Sequence, residues 1–66
     1  MQSRFYKGYN VWGHAIAQDN GCAASGTITR ESKVIAASGV LAHFSTEEEA
    51  EIVGMDWALA WVDSHS

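Results

Sequence analysis

The chain has 66 residues, one cysteine, no proline and a hydrophobic fraction of 47%. A chain of this length forms a single domain, residues 1–66, and buries only about 60% of the surface that its unfolded form exposes. The lone cysteine excludes an intramolecular disulfide. Residues 34–66 carry six acidic residues and no basic one, which disfavours binding to the phosphates of a nucleic acid.

The sequence also bounds where the protein works. No basic run precedes an apolar segment as in a secretory signal, and no apolar run approaches the roughly 18 residues of a membrane span. With one thiol and no export signal, we expect a cytoplasmic location and no membrane contact. Domains this small usually depend on disulfides, a metal or a partner subunit, so we expect oligomerisation.

The first predicted element is a long strand. The segment "FYKGYNVWGHAIA" (5–17) is rich in aromatic and β-branched residues, which is typical of a strand. Because side chains alternate between the two faces of a strand, Val11 and Gly13 lie on one face and Trp12 and His14 on the other.

Turn and strand signals alternate after it. The segments are "QDNG" (18–21), "CAASGTIT" (22–29), "RESK" (30–33) and "VIAASGVLAHF" (34–44). The first and third predict turns, and the second predicts a strand. The fourth predicts a third strand over about 34–42, with a bend or bulge near Ser38 and Gly39.

A helix follows. The segment "FSTEEEAEIV" contains two overlapping capping boxes, Ser45 with Glu48 and Thr46 with Glu49. We expect Thr46 to be the cap, because that choice places Ala50 at the first inward position. The helix is predicted over about 47–63. The expected architecture is α+β: a three-stranded antiparallel meander followed by one long C-terminal helix on one sheet face (βββα).

Apolar residues occupy two sides of this helix. At about 100° per residue, one side gathers Ala50, Val53, Gly54, Trp57, Ala58 and Trp61. The opposite side gathers Ile52, Met55, Leu59 and Val62 at the spacing of a helix–helix seam. One sheet covers one side, so we expect the second set to form a dimer or partner interface. The small residues, spaced by four, would allow close approach of a sheet or a partner helix.

Groups with catalytic chemistry are few. His14, His43 and His65 match no metal-ligand spacing, so we expect no metal and no cofactor. No basic residue adjoins Cys22, and we interpret it as a small buried hydrophobe. We therefore expect a protein that is not an enzyme.

Four segments carry a resemblance to a known family. "YKGYNVWGHA", "ASGTI", "SGVLAHFSTEEEAE" and "DWALAWVDSH", in this order, resemble a family of small bacterial βββα proteins without an assigned activity. The resemblance implies the strands-then-helix plan and supplies no catalytic residue. A looser similarity, through Thr46 to Ala50 ("TEEEA"), is to the antitoxin half of HicAB-type toxin–antitoxin pairs (HicB-type folds).

These observations favour a non-enzymatic protein-interaction module that acts as a homodimer. One alternative is a small-molecule binder or minor enzyme with a sheet–helix pocket lined by Trp12, His14, Trp57 and Trp61. Another is an antitoxin-like partner of a small basic protein. A nucleic-acid role on the sheet face would depend on the four basic residues, Arg4, Lys7, Arg30 and Lys33.

Overall fold

The computed structural model describes residues 2–65 as an α+β fold, an antiparallel sheet with one C-terminal helix. The elements are β1 (Gln2–Tyr6), β2 (Tyr9–Gln18), β3 (Gly21–Arg30), β4 (Lys33–Ala37), β5 (Ala42–Phe44) and α1 (Glu47–His65). The strand order is β1-β2-β3-β4. β5 also pairs with β3, along a different stretch of that strand from the one that pairs with β4. The sheet therefore has more strands than the three that the sequence predicts.

One of the two extra strands arises because the predicted first strand is a hairpin. Tyr6 pairs with Tyr9, so Lys7 and Gly8 form a two-residue turn. Their φ angles are 50° and 88°, and positive φ at both central residues is the pattern of a type I′ turn. Gly8 adopts it freely, whereas the lysine before it is an unusual choice. The prediction of one strand over 5–17 is therefore wrong at this turn.

The third predicted strand is interrupted where a bulge was expected. β4 pairs with β3 along Thr27–Arg30, and β5 pairs with β3 along Cys22–Ala24. Between them, Ser38 N–H donates to the Gly26 carbonyl at 2.9 Å, and Gly26 N–H donates to Ser38 Oγ at 2.8 Å. Residues 38–41 thus stand opposite only residues 25 and 26. The bend or bulge expected near Ser38 and Gly39 is therefore a break that divides the predicted strand into β4 and β5, and the one shift in register within β4 lies at Ile35, between Val34 and Ala36.

The helix begins where its capping signal predicts. Glu49 N–H donates to Thr46 Oγ1 at 3.2 Å, so Thr46 is the N-cap. The Thr46 hydroxyl also donates to Glu49 Oε1 at 3.1 Å. The helix continues to His65, two residues beyond the prediction. Within residues 2–65, no helix is both long enough and apolar enough to cross a membrane.

The core lies between α1 and the central strands β2 and β3. One buried cluster contains Val11, Ile28, Met55, Ala58 and Val62. A second, smaller cluster contains Cys22, Ala24 and Ala50 near the start of the helix. The line of small helix residues therefore faces the sheet, with larger side chains on both flanks of that line.

Candidate functional site

The centre of the sheet face against α1 is lined by small residues, whereas Val11 and Ile28 lie toward one end of that face. Gly13 pairs with Gly26 and Ala15 pairs with Ala24 across β2 and β3. Gly54 lies directly over the two glycines: a Cβ on Gly54 would overlap the Ser25 carbonyl oxygen, and a Cβ on Gly13 would overlap the Glu51 carbonyl oxygen. Helix and sheet therefore meet backbone to backbone, which leaves no space for a ligand at this point.

The other face of the sheet also carries large side chains and is not covered by any element within residues 2–65. Alternation from the helix-facing positions places Phe5, Trp12, His14, Ile16, Val34 and His43 on it. Phe5 is 71% exposed and Val34 is 68% exposed. Among the residues that the structure describes, none that the strand register assigns to this face is Asp, Glu, Lys or Arg. We call it the open face.

Two hydrogen bonds hold the central rings of the open face. Trp12 Nε1 donates to Thr29 Oγ1 at 3.2 Å, and His14 Nε2 lies 3.0 Å from Thr27 Oγ1. Each ring leans across β3 toward the threonine two positions beyond the residue that it opposes. These bonds pair one ring nitrogen of Trp12 and one of His14 with threonine hydroxyls on the same face. The open face is thus more apolar toward solvent than its composition indicates.

The predicted sheet–helix pocket does not form. Trp12 and His14 lie on the open face, whereas Trp57 and Trp61 belong to the helix and pack against the main core cluster. Trp61 meets Tyr9 edge to face with ring centroids 6.0 Å apart. The sheet separates the two pairs of residues, so the pocket hypothesis is wrong in its geometry.

The four helix residues predicted to form an interface, a stripe of Ile52, Met55, Leu59 and Val62, differ in their burial. Met55 and Val62 are buried in the core, and Leu59 is half-buried against it. Ile52 alone of the four is exposed, at 46%. The expectation that one sheet would leave this stripe uncovered is wrong. The helix presents its small residues to the sheet, so that larger side chains on both flanks of these residues also pack against the core.

The groups with reactive chemistry are dispersed. Cys22 is buried beside Phe44 and Ala24, as its interpretation as a hydrophobe required. His65 stacks on Trp61 with centroids 4.0 Å apart. A depression at the β2–β3 turn is lined by residues 18–22 and His43. Within residues 2–65, no three His, Cys, Asp or Glu side chains are grouped so that they could hold a metal ion.

Charges are sorted toward the two ends of the molecule, which is 35 Å long. The β1–β2 and β3–β4 turns share one end, where all four basic residues lie in or near the turns together with the acidic residues Glu31 and Asp63, which leaves this end with a net charge of +2. The β2–β3 turn and the helix N-terminus share the other end, and they carry Asp19 and Glu47–Glu49. We call these the basic end and the acidic end.

An ion pair closes the basic end on the helix side. Lys7 Nζ lies 2.8 Å from Asp63 Oδ1, and the Tyr6 hydroxyl donates to the same oxygen at 2.7 Å. The hydrogen bond from Lys7, with that from Tyr6, lowers the pKa of Asp63, and the same bond to Asp63 raises the pKa of Lys7. These contacts join the first hairpin to the last turn of α1. They also withdraw Lys7 from the phosphate contact that a nucleic-acid role would need.

Comparison with known proteins gives no match to this chain, whether by family model, by curated sequence or by solved structure.

Proposed function

We propose that this chain is a non-enzymatic protein-interaction module and that the open face is its binding surface. The observation that carries the proposal is an uncovered sheet face with large apolar side chains and no Asp, Glu, Lys or Arg among the described residues. Contiguous apolar patches on small soluble domains mark interaction sites. Depletion of charge at the centre is the compositional signal of a protein interface.

The distribution of residue sizes supports this role. A sheet packed on one helix ordinarily turns its larger apolar side chains toward the helix. Here glycine and alanine fill the centre of that contact, and Phe5, Trp12 and Val34 stand on the opposite side. Full burial of one such side chain stabilises by roughly 1.5–3 kcal/mol. A partner on the open face would therefore gain most of its affinity from residues that contribute little to the isolated fold.

The geometry favours protein binding over catalysis or ligand capture. The reactive side chains do not converge on one point, and the backbone contact of Gly54 with the sheet fills the space that a sheet–helix pocket would need. A flat sheet face suits a flat partner surface, whereas small-molecule sites are concave.

A labelling experiment tests the proposal. Asn10 lies on the open face, between Phe5 on β1 and Thr29 on β3, and Ala60 is exposed on α1. In a Cys22→Ala background, Asn10→Cys and Ala60→Cys place one thiol on each surface. Their rates of reaction with a maleimide are compared in dilute pure protein, in concentrated pure protein and in extract of the natural host.

We expect the thiol at position 10 to react about tenfold more slowly in at least one of the two crowded samples than in dilute protein. The thiol at position 60 should keep its rate throughout. Equal rates at both positions in all three samples would refute the proposed binding surface.

A further inference from the structure

We propose that the occupant of the open face is a second copy of this chain, docked face to face with its strands antiparallel to those of the first. This inference rests on the proposed function and specifies its partner. It predicts a four-layer dimer in which the two sheets form the inner layers and the two helices the outer layers.

The area of the open face is sufficient for such a dimer. Each strand residue covers roughly 16 Å² of a sheet, given the usual rise and strand spacing. The five strands therefore provide about 500 Å² per copy and about 1,000 Å² per dimer at that value. This is the lower limit for a specific protein interface, so we expect micromolar rather than nanomolar affinity.

The charge of the open face singles out a second copy among protein partners. The whole chain carries a net charge of −4, so two copies repel each other at most points of contact. The open face is the surface on which that repulsion is weakest, since none of its described residues is Asp, Glu, Lys or Arg. A neutral, apolar face matches itself, and two-fold pairing of identical patches is the commonest form of protein oligomer.

The charged ends determine the orientation. A two-fold axis parallel to the strands would place the two acidic ends together, with Asp19 and Glu47–Glu49 of both copies on one side. An axis in the plane of the sheets but perpendicular to the strands places each acidic end against the partner's basic end. Sheets that pack face to face keep their strands within about 30° of alignment. The antiparallel arrangement satisfies both requirements.

The turn residues bring these ends nearest to each other. Asp19 lies in the β2–β3 turn, and Lys33 begins β4 directly after the β3–β4 turn. Both lie in the sheet layer, whereas the glutamates of α1 lie one layer further out. In the antiparallel dimer, the Asp19 of each copy approaches the end of the other copy that carries Arg30 and Lys33, and this approach occurs twice by symmetry.

Sedimentation equilibrium of the full chain between about 5 and 500 µM tests the dimer, because micromolar dissociation constants fall in this range. The wild type should pass from monomer to dimer. Val34→Glu replaces a 68% exposed residue of the open face and should weaken dimerisation at least tenfold. Ile52→Glu, the matched control, replaces a 46% exposed residue of α1 and should leave the dissociation constant within twofold. The circular dichroism spectrum of each variant verifies that the monomer is folded.

A charge exchange tests the orientation. In about 20 mM salt, Asp19→Lys should dimerise roughly threefold more weakly than Asp56→Lys, which has the same net charge of −2 but alters an exposed residue of α1, and adding Lys33→Asp to Asp19→Lys should restore the wild-type value. The differences should vanish near 0.5 M salt, where the Debye length is about 4 Å. Equal dissociation constants for Asp19→Lys and Asp56→Lys, or a double variant weaker than the wild type, would refute the antiparallel arrangement.

The outcomes separate this inference from the proposed function. A wild-type protein that stays monomeric at 500 µM, while the thiol at position 10 is protected in host extract, overturns the second copy and leaves the interaction module standing. A thiol at position 10 that is unprotected everywhere overturns both. A dimer that Ile52→Glu disrupts and Val34→Glu does not would place the interface on the helix and overturn the inference.

Discussion

The two faces of the sheet are made by the same strands but differ in the residues at their centres and in whether α1 covers them. On the face against α1, Gly13 and Gly26 lie beneath Gly54, and the contact is between backbones. On the open face, Trp12 and Phe5 project where no described element covers them. Side-chain size is therefore arranged so that the helix seats tightly on a smooth surface, while the larger groups are left for a contact outside the chain.

The largest expected effect comes from one methyl group on the packed face. Gly54→Ala would stabilise an isolated helix by about 1 kcal/mol, but its Cβ would overlap the Ser25 carbonyl. Because backbone cannot move aside as a side chain can, we expect a loss of about 3 kcal/mol or complete unfolding. Urea denaturation measures the change, with the exposed Ala60→Gly as the control for propensity, expected to lose about 1 kcal/mol. A neutral or stabilising Gly54→Ala would show that the contact is looser than described.

The next effect separates the two helix residues that were predicted to share one stripe. Met55 is 6% exposed and Ile52 is 46% exposed. Met55→Ala should cost about 2–4 kcal/mol because it opens a cavity in the main cluster, whereas Ile52→Ala should cost less than about 1 kcal/mol. Thermal and urea unfolding at low protein concentration measure both changes. Equal losses at the two positions would contradict the orientation of the helix on the sheet.

A smaller effect concerns the start of the helix, which determines which helix residues reach the packed face. Thr46→Ala removes the acceptor for the Glu49 amide and should cost about 1 kcal/mol. Ser45→Ala, one residue earlier, should change the free energy of unfolding by less than about 0.5 kcal/mol. The comparison of the two urea midpoints distinguishes the overlapping capping boxes, and a greater loss at position 45 would reverse the assignment.

The ion pair beneath the basic end gives a pH-dependent effect. Because the pKa of Asp63 is lowered in the folded state, its contribution is present at neutral pH and is lost as the pH falls through that lowered value. The pKa of Lys7 is raised, so its contribution is lost at alkaline pH above its ordinary value of 10.5. Asp63→Asn should therefore be destabilised at pH 7 and equal to wild type near pH 2. Asp56→Asn, at another exposed position of the helix, is the control, and a difference that persists in acid would contradict the assignment.

The smallest effect is expected on the open face. Phe5→Thr removes a whole phenyl ring that is 71% exposed, yet the free energy of unfolding of dilute protein should change by less than about 0.5 kcal/mol. Removing a phenyl ring from the open face would then lower the free energy of unfolding less than adding the methyl group of Gly54→Ala to the contact between α1 and the sheet. A loss above 1 kcal/mol in dilute protein would show that the open face contributes to the fold of the single chain.

Local signals in the sequence predicted the elements that depend on local chemistry. The helix start at Thr46 follows from hydroxyl and glutamate spacing, and the interruption near Ser38 follows from Ser38 beside Gly39 in an otherwise apolar run. The turn at Lys7 and Gly8 was missed because aromatic residues continue on both sides of it and lysine seldom occupies a left-handed turn position. The strand count was wrong for two reasons: this turn divides the first predicted strand, and residues 38–41 divide the third.

The candidate site was missed for a different reason. The sequence pattern gave weight to large apolar residues of the helix, and a stripe through Met55 and Val62 was therefore predicted as the interface. The orientation of the helix on the sheet is determined instead by where the two backbones can come into contact, which is at Gly54. Alternation along β2 places Trp12 and Val11 on opposite faces of the sheet. The open face gains its full width only because the first hairpin brings Phe5 beside Asn10.

The break between β4 and β5 has a consequence for how the protein avoids fibre formation. Residues 34–44 are rich in β-forming residues and low in charge, a composition that favours cross-β stacking when such a strand is long and straight. Here the strand is cut into pieces of five and three residues by residues 38–41. A neighbouring chain that approaches this edge meets no continuous row of backbone donors and acceptors to extend. The interruption therefore protects an aggregation-prone segment within the native state, in addition to the charge that Lys33 places at the start of this edge.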